Sequence, residues 1–215
     1  MGERPAREER RGPDVERAAV PRTRRGQATR ERLLAAAREV FAEVGWARAR
    51  VEDVCRVAGT GHGTFYQYFP NRTALLVALV AQHAGELNAL AEAPWTSGDV
   101  KSDVHRVIDG FVAVSEQDRD VRVAWAAAAA DEPALAALFG EVRRQFVARV
   151  HANLAAAVAD GRARADLDLE VAAAGLTAMV EHSVALDSAA EPSSRLGRTR
   201  LVSGLTDLWV AAVYR

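Results

Sequence analysis

The chain has 215 residues, of which 49% are hydrophobic and 27% charged, and its formal net charge is −1. This length suits one large domain or a small domain joined to a larger one. The single cysteine excludes an internal disulfide, and the charged N-terminus lacks the apolar segment of a secretory signal. No apolar run approaches the roughly 20 residues of a membrane span. We therefore expect a soluble, cytoplasmic protein that makes no membrane contact.

Charge is unevenly distributed along the chain. Residues 1–72 hold 15 Lys+Arg and 10 Asp+Glu, whereas residues 73–215 hold 13 and 19. The excess of positive charge in the N-terminal third would neutralise nucleic-acid phosphates. The acidic remainder would be repelled by nucleic acid, so we expect it to serve another purpose.

Residues 1–25 are rich in arginine and acidic residues and contain three prolines, a composition that predicts a disordered arm. Arg22, Arg24 and Arg25 lie just before the first predicted helix. Disorder alone would explain the segment. The functional alternative is a basic arm that adds sequence-independent affinity for a duplex.

The first helix is predicted over 27–44. An apolar stripe at helical spacing indicates one buried face; it consists of Leu33, Leu34, Ala37, Val40 and Phe41. Gly45 is expected to end the helix, and Trp46 to close the base of the small domain. Thr29 and Arg30 lie near its predicted N-terminus, where backbone N–H groups favour a phosphate. A solvated helix start is the plainer interpretation.

The next stretch predicts two short helices joined by a tight turn. The first spans 51–58, and Gly59 suits the left-handed conformation of a helix C-terminus. The second spans 62–69, and Pro70 prevents it from continuing. A helix of two turns is not stable alone, so its neighbours must hold it out. This is the arrangement of a helix-turn-helix DNA reader.

In the second short helix, Phe65 and Phe69 are predicted to face inward. The outward groups can bind DNA in different ways: Gln67 can pair bidentately with adenine, Thr64 can contact a thymine methyl or a phosphate, and Tyr66 can bind phosphate. A residue without a side chain, such as Gly63, lets the backbone approach the duplex. His62 is also outward. It has no spaced partner for a metal, so no metal site or cofactor is predicted.

The stretch VAGTGHGTFYQYFPNRTALL resembles the signature of the TetR family of transcriptional regulators. The residues in register are Ala58, Gly59, Gly63, Thr64, Tyr66, Tyr68, Phe69 and Leu75. The resemblance implies an all-α fold of about nine helices, with a three-helix DNA-binding domain at 26–71 and an effector-binding and dimerisation domain at 72–215. It implies contacts to double-stranded DNA from Arg25, Thr29, Arg30, Arg50, Thr60, His62, Gly63, Thr64, Tyr66, Gln67 and Arg72.

A fourth helix is predicted over 72–93, with Asn71 as its cap. At 1.5 Å per residue it would be about 30 Å long, long enough to join the DNA-binding part to the rest. The remaining predicted helices follow the loop 94–98 and span 99–116, 120–130, 131–160, 169–188 and 194–214.

An alanine run beside Trp125, expected to face Phe111 and Phe146, has two interpretations. It could leave room for an apolar ligand, or it could be a tightly packed core. The resemblance favours a pocket for a small apolar effector, because members of the family commonly bind small molecules here. We expect this pocket to be lined by Phe111, Trp125, Phe146, Val150, Met179 and His182.

The last two helices are amphipathic and could simply cap a monomer. The resemblance implies that they pair with their symmetry mates in a four-helix dimer interface, where small residues permit close approach. We expect this interface to contain Gly175, Ala178, Leu201, Leu205, Leu208 and Trp209.

The sequence therefore predicts a homodimeric, ligand-responsive repressor that binds an inverted-repeat operator. An enzyme is the first alternative, but no Ser/His/Asp ordering, phosphate-binding Gly-rich loop, HExxH or CxxC is present, and the adjacent Glu181 and His182 cannot face one point. The second is an architectural DNA-binding protein without an effector, which would not need so large an acidic body.

Overall fold

The computed structural model describes residues 21–92 and 99–214. Over these ranges the chain forms α-helices without a β-strand, as the sequence predicted. The nine helices are α1 Arg24–Arg48, α2 Val51–Ala58, α3 His62–Tyr68, α4 Arg72–Glu92, α5 Val100–Gln117, α6 Arg119–Asp131, α7 Pro133–Ala159, α8 Leu169–Ala189 and α9 Arg198–Val213.

Helix α1 differs most from its prediction. It begins at Arg24 because Thr23 caps it, the Thr23 hydroxyl accepting a hydrogen bond from the Gly26 amide at 3.1 Å. Gly45 interrupts the helix as predicted, with φ 70° and ψ 168°, and a further short helical segment continues to Arg48. The predicted arm at 1–25 is therefore wrong at its end, where Arg24 and Arg25 are helical. Residues 1–20 lie outside the described residues.

The other helix ends follow their local signals. Gly59 adopts the left-handed conformation after α2, with φ 62° and ψ 40°. Asn71 caps α4, its Oδ1 accepting a hydrogen bond from the Ala74 amide at 2.7 Å. Asp99 and Asp168 cap α5 and α8 in the same way. The predicted loop at 94–98 lies outside the described residues.

Helices α1 to α3 form a small head around a closed apolar core. Leu33, Leu34, Phe65 and Phe69 are each fully buried. Trp46 is also buried, and its ring meets that of Phe41 edge to face at a centroid distance of 5.6 Å. Burying each such side chain contributes about 1.5–3 kcal/mol, which is how a seven-residue helix is held in place.

The head is not packed separately from the body, which comprises α4 to α9. Its core cluster continues into α6 and the start of α7, and α1 packs along α6. Trp125 fastens α6 to α7, because its Nε1 donates a hydrogen bond to the Leu135 carbonyl at 3.2 Å. Helix α6 therefore packs within the body and also contacts the head.

A second core cluster fills the distal body, where α5 packs on α9 and α7 on α8. Leu201, Leu205 and Trp209 of α9 belong to this cluster, each with at most 6% of its surface exposed. Their predicted place in a dimer interface is wrong, since they already pack within their own chain. The apolar stripe of α9 was correctly located, but its partner is α5.

Two helices, α4 and α8, are long and apolar enough to cross a membrane by length and composition alone. Core helices of soluble proteins share that property, and 56% of the relevant window in α4 is buried. In α8 only 28% is buried, so an apolar face of this helix lies uncovered on the single chain.

Candidate DNA-binding face and effector cleft

Helix α3 presents a polar face to solvent because its two phenylalanines anchor the opposite side. Phe65 and Phe69 are fully buried, whereas Tyr66 is 54% exposed, and His62, Gly63 and Gln67 are also exposed. Thr64 is half-buried. The structure thus brings the predicted reading residues of α3 onto one accessible surface.

Gly63 has open space where a side chain would lie, since no described residue beyond its chain neighbours and its own helix backbone has a heavy atom within 4 Å of a Cβ built there. Packing within this chain therefore does not require glycine at this position. Close approach of DNA to the backbone remains the predicted reason for it.

Arg72, which was predicted to contact a phosphate, also packs against the base of the head. Its Nη1 donates hydrogen bonds to the carbonyls of Trp46 and Ala49 at 2.7 and 2.6 Å. Its guanidinium also stacks on the Trp46 ring, 3.8 Å from the centroid. Arg72 therefore joins the start of α4 to the base of the head, and its contact with a DNA phosphate stays a prediction.

Three further members of the predicted DNA-binding set are largely used within the head. The Thr60 hydroxyl oxygen is buried beside the Cys55 thiol, whose pKa is raised by burial. The Arg30 side chain is only 18% exposed and lies over the Phe69 ring at 5.6 Å. Thr29 is in the second turn of α1, where its hydroxyl donates to the Arg25 carbonyl at 3.1 Å. The helix start expected to bind phosphate through Thr29 and Arg30 lies earlier, at Arg24.

Arg25 and Arg50 are exposed. Arg25 lies in the first turn of α1 and Arg50 immediately precedes α2. They remain the candidates for phosphate contacts on either side of α3.

The body contains an open cleft of about 720 Å³, called the effector cleft below. Side chains from α4 to α8 line it: His83, Leu87, Phe111, Ser115, Arg119, Arg122, Val123, Trp125, Ala126, Phe139, Val142, Arg143, Phe146, Ala178, Glu181, His182, Ala185, Ser188 and Ala189. Four of the six residues predicted for an effector pocket therefore share one cavity, namely Phe111, Trp125, Phe146 and His182. Small-molecule sites commonly have this size and this mixture of apolar walls with a few polar groups.

The other two predicted lining residues lie elsewhere. Val150 borders a small apolar cavity behind Phe111 and Phe146, with room of about 20 Å³. Met179 borders neither space and packs against the core of the distal body. Phe111 and Phe146, with ring centroids 6.0 Å apart, line both spaces, and a ligand contact of Val150 or Met179 stays a prediction.

A buried chain of polar contacts connects the effector cleft to the head. His83 lines the cleft, and its Nδ1 lies 3.0 Å from Asp118 Oδ2. The other carboxylate oxygen of Asp118 accepts a hydrogen bond from Arg38 Nε of α1 at 3.1 Å. Burial alone would raise the pKa of Asp118, but the hydrogen bonds from His83 and Arg38 outweigh it and hold the pKa below its usual value.

The uncovered face of the body lies on α8 and α9. Gly175 and Leu208 are exposed, Leu208 by 60%, and Ala178 is half-buried. Val171 and Leu186 extend this face along α8 and are 67% and 59% exposed. The predicted dimer residues Gly175 and Leu208 are therefore accessible, as are Val171 and Leu186, which were not predicted, whereas Ala178 also lines the effector cleft.

Sequence reasoning missed the arginines of the effector cleft and the Arg38–Asp118–His83 contacts. Arg122 had a usable signal, since it lies three residues before Trp125 and so on the same side of α6. The contacts among Arg38, Asp118 and His83 had no sequence signal, because Asp118 lies 35 residues from His83 and 80 residues from Arg38 along the chain. Among the described residues, no group of three or more His, Cys, Asp or Glu side chains could hold a metal ion.

Two family models match the chain. The model for bacterial regulatory proteins of the tetR family matches residues 33–79, which cover most of the head and the start of α4. The model for the C-terminal domain of the transcriptional regulator EthR matches residues 104–215, slightly more than half of the chain.

Individual proteins show the same similarity. The regulator EthR of Mycobacterium tuberculosis is 27% identical over 206 residues, covering 92% of this chain and 94% of EthR. The uncharacterised regulator YvdT of Bacillus subtilis is 34% identical over 101 residues, covering 43% of this chain and 48% of YvdT, so the match spans about half of that relative's length.

Among solved structures, the complex of SmeT with triclosan superposes with a TM-score of 0.70 at 25% identity, covering 88% of this chain and 93% of SmeT. SmeT is the repressor of a multidrug efflux pump in Stenotrophomonas maltophilia.

Proposed function

Since the chain belongs to the TetR family of DNA-binding transcriptional regulators and carries a C-terminal domain of the EthR type, we propose that it is a homodimeric repressor that a small apolar effector releases from a palindromic operator. The relatives are transcriptional regulators rather than enzymes, in agreement with the sequence analysis. Cytoplasmic localisation is part of the proposal, because the target of such a protein is the chromosome.

The observation that carries the DNA-binding part is the exposed polar face of α3. A seven-residue helix held by two fully buried phenylalanines is rigid, and its free side offers Tyr66, Gln67 and His62 to a major groove. Arg25 and Arg50 supply exposed positive charge beside it, which suits phosphate contacts that fix the register on the duplex.

The uncovered apolar face of α8 and α9 supports dimerisation. A two-fold axis through it would present the same patch from each chain, as a symmetric dimer requires. Apart from its chain neighbours and its own helix backbone, no part of the chain that the structure describes comes within 4 Å of a Cβ built at Gly175, so a second helix could approach the backbone closely there. Two heads related by such an axis would bind inverted half-sites about one turn of duplex apart.

The effector cleft supports control by a small molecule, as does the solved complex of the relative SmeT with triclosan. One wall of the cleft is α6, which also packs against α1 of the head. A ligand that fits the cleft better when α6 has shifted would favour a different head position. It can change operator affinity only by the difference in its affinity for the two arrangements. Coupling of about 1–3 kcal/mol, or roughly 5–150-fold, is typical.

The second candidate is an architectural DNA-binding protein that needs no effector. A body without an open cleft would favour this architectural protein. The open space of about 720 Å³ between α4 and α8 favours the ligand-responsive regulator instead.

The proposal is tested by selecting DNA from a random library with the full-length protein and footprinting the enriched sequences. We expect an inverted repeat, protected on both half-sites by a dimer. Transcription from a promoter that overlaps the repeat should fall when the protein is added. Enrichment of single, unrepeated sites or an increase in transcription would contradict the dimeric repressor.

A further inference from the structure

The effector cleft carries more positive charge than its own carboxylate can neutralise. Arg119, Arg122 and Arg143 line it, and Glu181 is the one acidic residue among the lining side chains. Arg143 and Glu181 already form an ion pair, with Nε and Oε2 2.9 Å apart. Within the described ranges, neither Arg119 nor Arg122 has a carboxylate oxygen within 4.0 Å. Two guanidinium groups in the cleft therefore have no carboxylate in direct ion-pair contact.

Arg122 is the more confined of these two. It is half-buried, and its Nη1 donates a hydrogen bond to the Ser115 carbonyl at 3.2 Å. Burial lowers the pKa of Arg122; the charge of Glu181 opposes this effect and that of Arg119 adds to it. A partly buried charge without a carboxylate in direct contact is unfavourable. A bound anion would relieve that cost.

Next to these cations lies apolar surface that the chain leaves open. Phe139 and Val123 line the cleft and are 52% and 60% exposed. Trp125 meets Phe139 edge to face at a centroid distance of 5.0 Å, so the two rings form a continuous wall. Exposed apolar side chains in a concave site favour a ligand that covers them.

Building on the effector-controlled function proposed above, we propose that the effector is an apolar molecule bearing one carboxylate, with Arg122 binding the carboxylate and the Trp125–Phe139 wall covering the apolar part. The guanidinium fork matches the two oxygens of a carboxylate. The cleft volume lies within the range of about 300–1,000 Å³ of small-molecule sites. Alkyl and aryl carboxylates satisfy the same chemistry.

The test is isothermal titration of the full-length dimer with two matched pairs of compounds: decanoate with decanol, and 2-naphthoate with 2-naphthalenemethanol. We expect at least one carboxylate to bind at least about 10-fold more tightly than its alcohol, because charge-assisted bonds to arginine are strong. The pair that shows the difference distinguishes an alkyl from an aryl effector.

The variant Arg122→Gln keeps a polar side chain, shortens it and removes its charge. We expect it to weaken carboxylate binding about 10- to 100-fold, to leave alcohol binding unchanged and to leave the melting temperature of the free protein unchanged or raised. The matched control is Arg144→Gln, which removes an exposed arginine on α7 and should affect neither ligand.

Three outcomes would overturn the carboxylate proposal: neither carboxylate binds, the alcohols bind equally well, or Arg122→Gln lowers the melting temperature and weakens both ligands alike. The last would mean that Arg122 only closes the α5–α6 junction through Ser115. Operator binding is measured on the same samples without ligand. If the protein binds its operator but neither carboxylate binds, the regulator proposal stands and only the effector class is wrong. If the carboxylates bind but the operator does not, the ligand class stands and the regulator proposal is wrong.

Discussion

At the scale of single residues, Gln67 is the α3 side chain best suited to read a base, because its amide can donate and accept together at an adenine edge. We expect Gln67→Ala to reduce discrimination at one base pair in each half-site by about 1–3 kcal/mol. The measurement is fluorescence anisotropy with operators substituted at each position.

Gln145→Ala is the matched control, since it removes an exposed glutamine on α7, distant in sequence from the head. It should leave the whole base profile unchanged. A uniform loss of affinity across all operator variants with Gln67→Ala would show that Gln67 binds the backbone instead of reading a base.

Asp118 is the residue whose loss should cost most stability among the polar groups described above. It is 1% exposed and bonded to His83 and Arg38, so Asp118→Asn should lower the free energy of unfolding by about 2–4 kcal/mol. Because the native pKa of Asp118 is depressed, its contribution is complete above the ordinary aspartate pKa of about 3.9 and is lost as the pH falls through the native pKa.

Urea unfolding of the wild type and of Asp118→Asn, from pH 7 to pH 3, measures the free energy of unfolding that Asp118 contributes. The difference in free energy of unfolding between the two proteins should become smaller below about pH 4. Asp166→Asn, which breaks an exposed pair with Arg164 at 2.9 Å, is the control and should cost less, because exposed ion pairs are screened. A similar loss for both variants would contradict the assigned role of Asp118.

The stabilising role of Asp118 could not have been predicted from residue types alone. Its partners lie on α1 and α4, and only the packing of three helices brings them together. By contrast, the inward and outward sides of α3 were predicted correctly, because a short helix with two phenylalanines four residues apart has one obvious buried face.

At the scale of elements, the uncovered face of α8 and α9 determines the expected assembly. Leu208→Glu should produce a monomer at micromolar concentration with an unchanged far-ultraviolet spectrum, because Leu208 is 60% exposed on the single chain and a buried charge would oppose association. Sedimentation velocity measures the change.

Ala42→Glu places the same carboxylate on an exposed position of α1 and should leave the dimer intact. A Leu208→Glu protein that still sediments as a dimer would locate the interface elsewhere.

Helix positions were largely predictable because their signals are local. The ends of α2 and α3 follow from Gly59 and Pro70, and the start of α4 follows from the cap at Asn71. Gly45 interrupts α1 as predicted, with φ 70° and ψ 168°, but the helix begins three residues earlier than predicted because Thr23 caps it. Periodicity also located the apolar face of α9, but burial against α5 and burial against a second chain leave the same sequence pattern. Leu201, Leu205 and Trp209 were misassigned for that reason.

At the scale of the whole molecule, the contacts from His83 through Asp118 to Arg38 join the effector cleft to the DNA-binding head. We expect Arg38→Gln to leave ligand affinity and operator affinity nearly unchanged when each is measured alone. The factor by which an effector weakens operator binding should shrink, by an energy of about 0.5–2 kcal/mol.

Operator titrations with and without decanoate, or any other compound that releases the operator, measure this factor. Arg48→Gln is the control on the same helix, because the Arg48 Nε donates to the Val44 carbonyl within the head. Equal coupling in Arg38→Gln and the wild type would show that the signal reaches the head by another route.

The clamp of Arg72 on Trp46 and Ala49 has a geometric consequence for operator choice. With the base of the head fixed to the start of α4, a rotation of α4 carries α3 with it and little is absorbed at the joint. Over the roughly 30 Å of a 21-residue helix, a rotation of about 5° displaces one end by about 2.6 Å relative to the other. In a symmetric pair the displacements add to about 5 Å, more than the 3.4 Å rise of one base pair along B-DNA. Small angular changes in the body would then be enough to put the two half-sites out of phase.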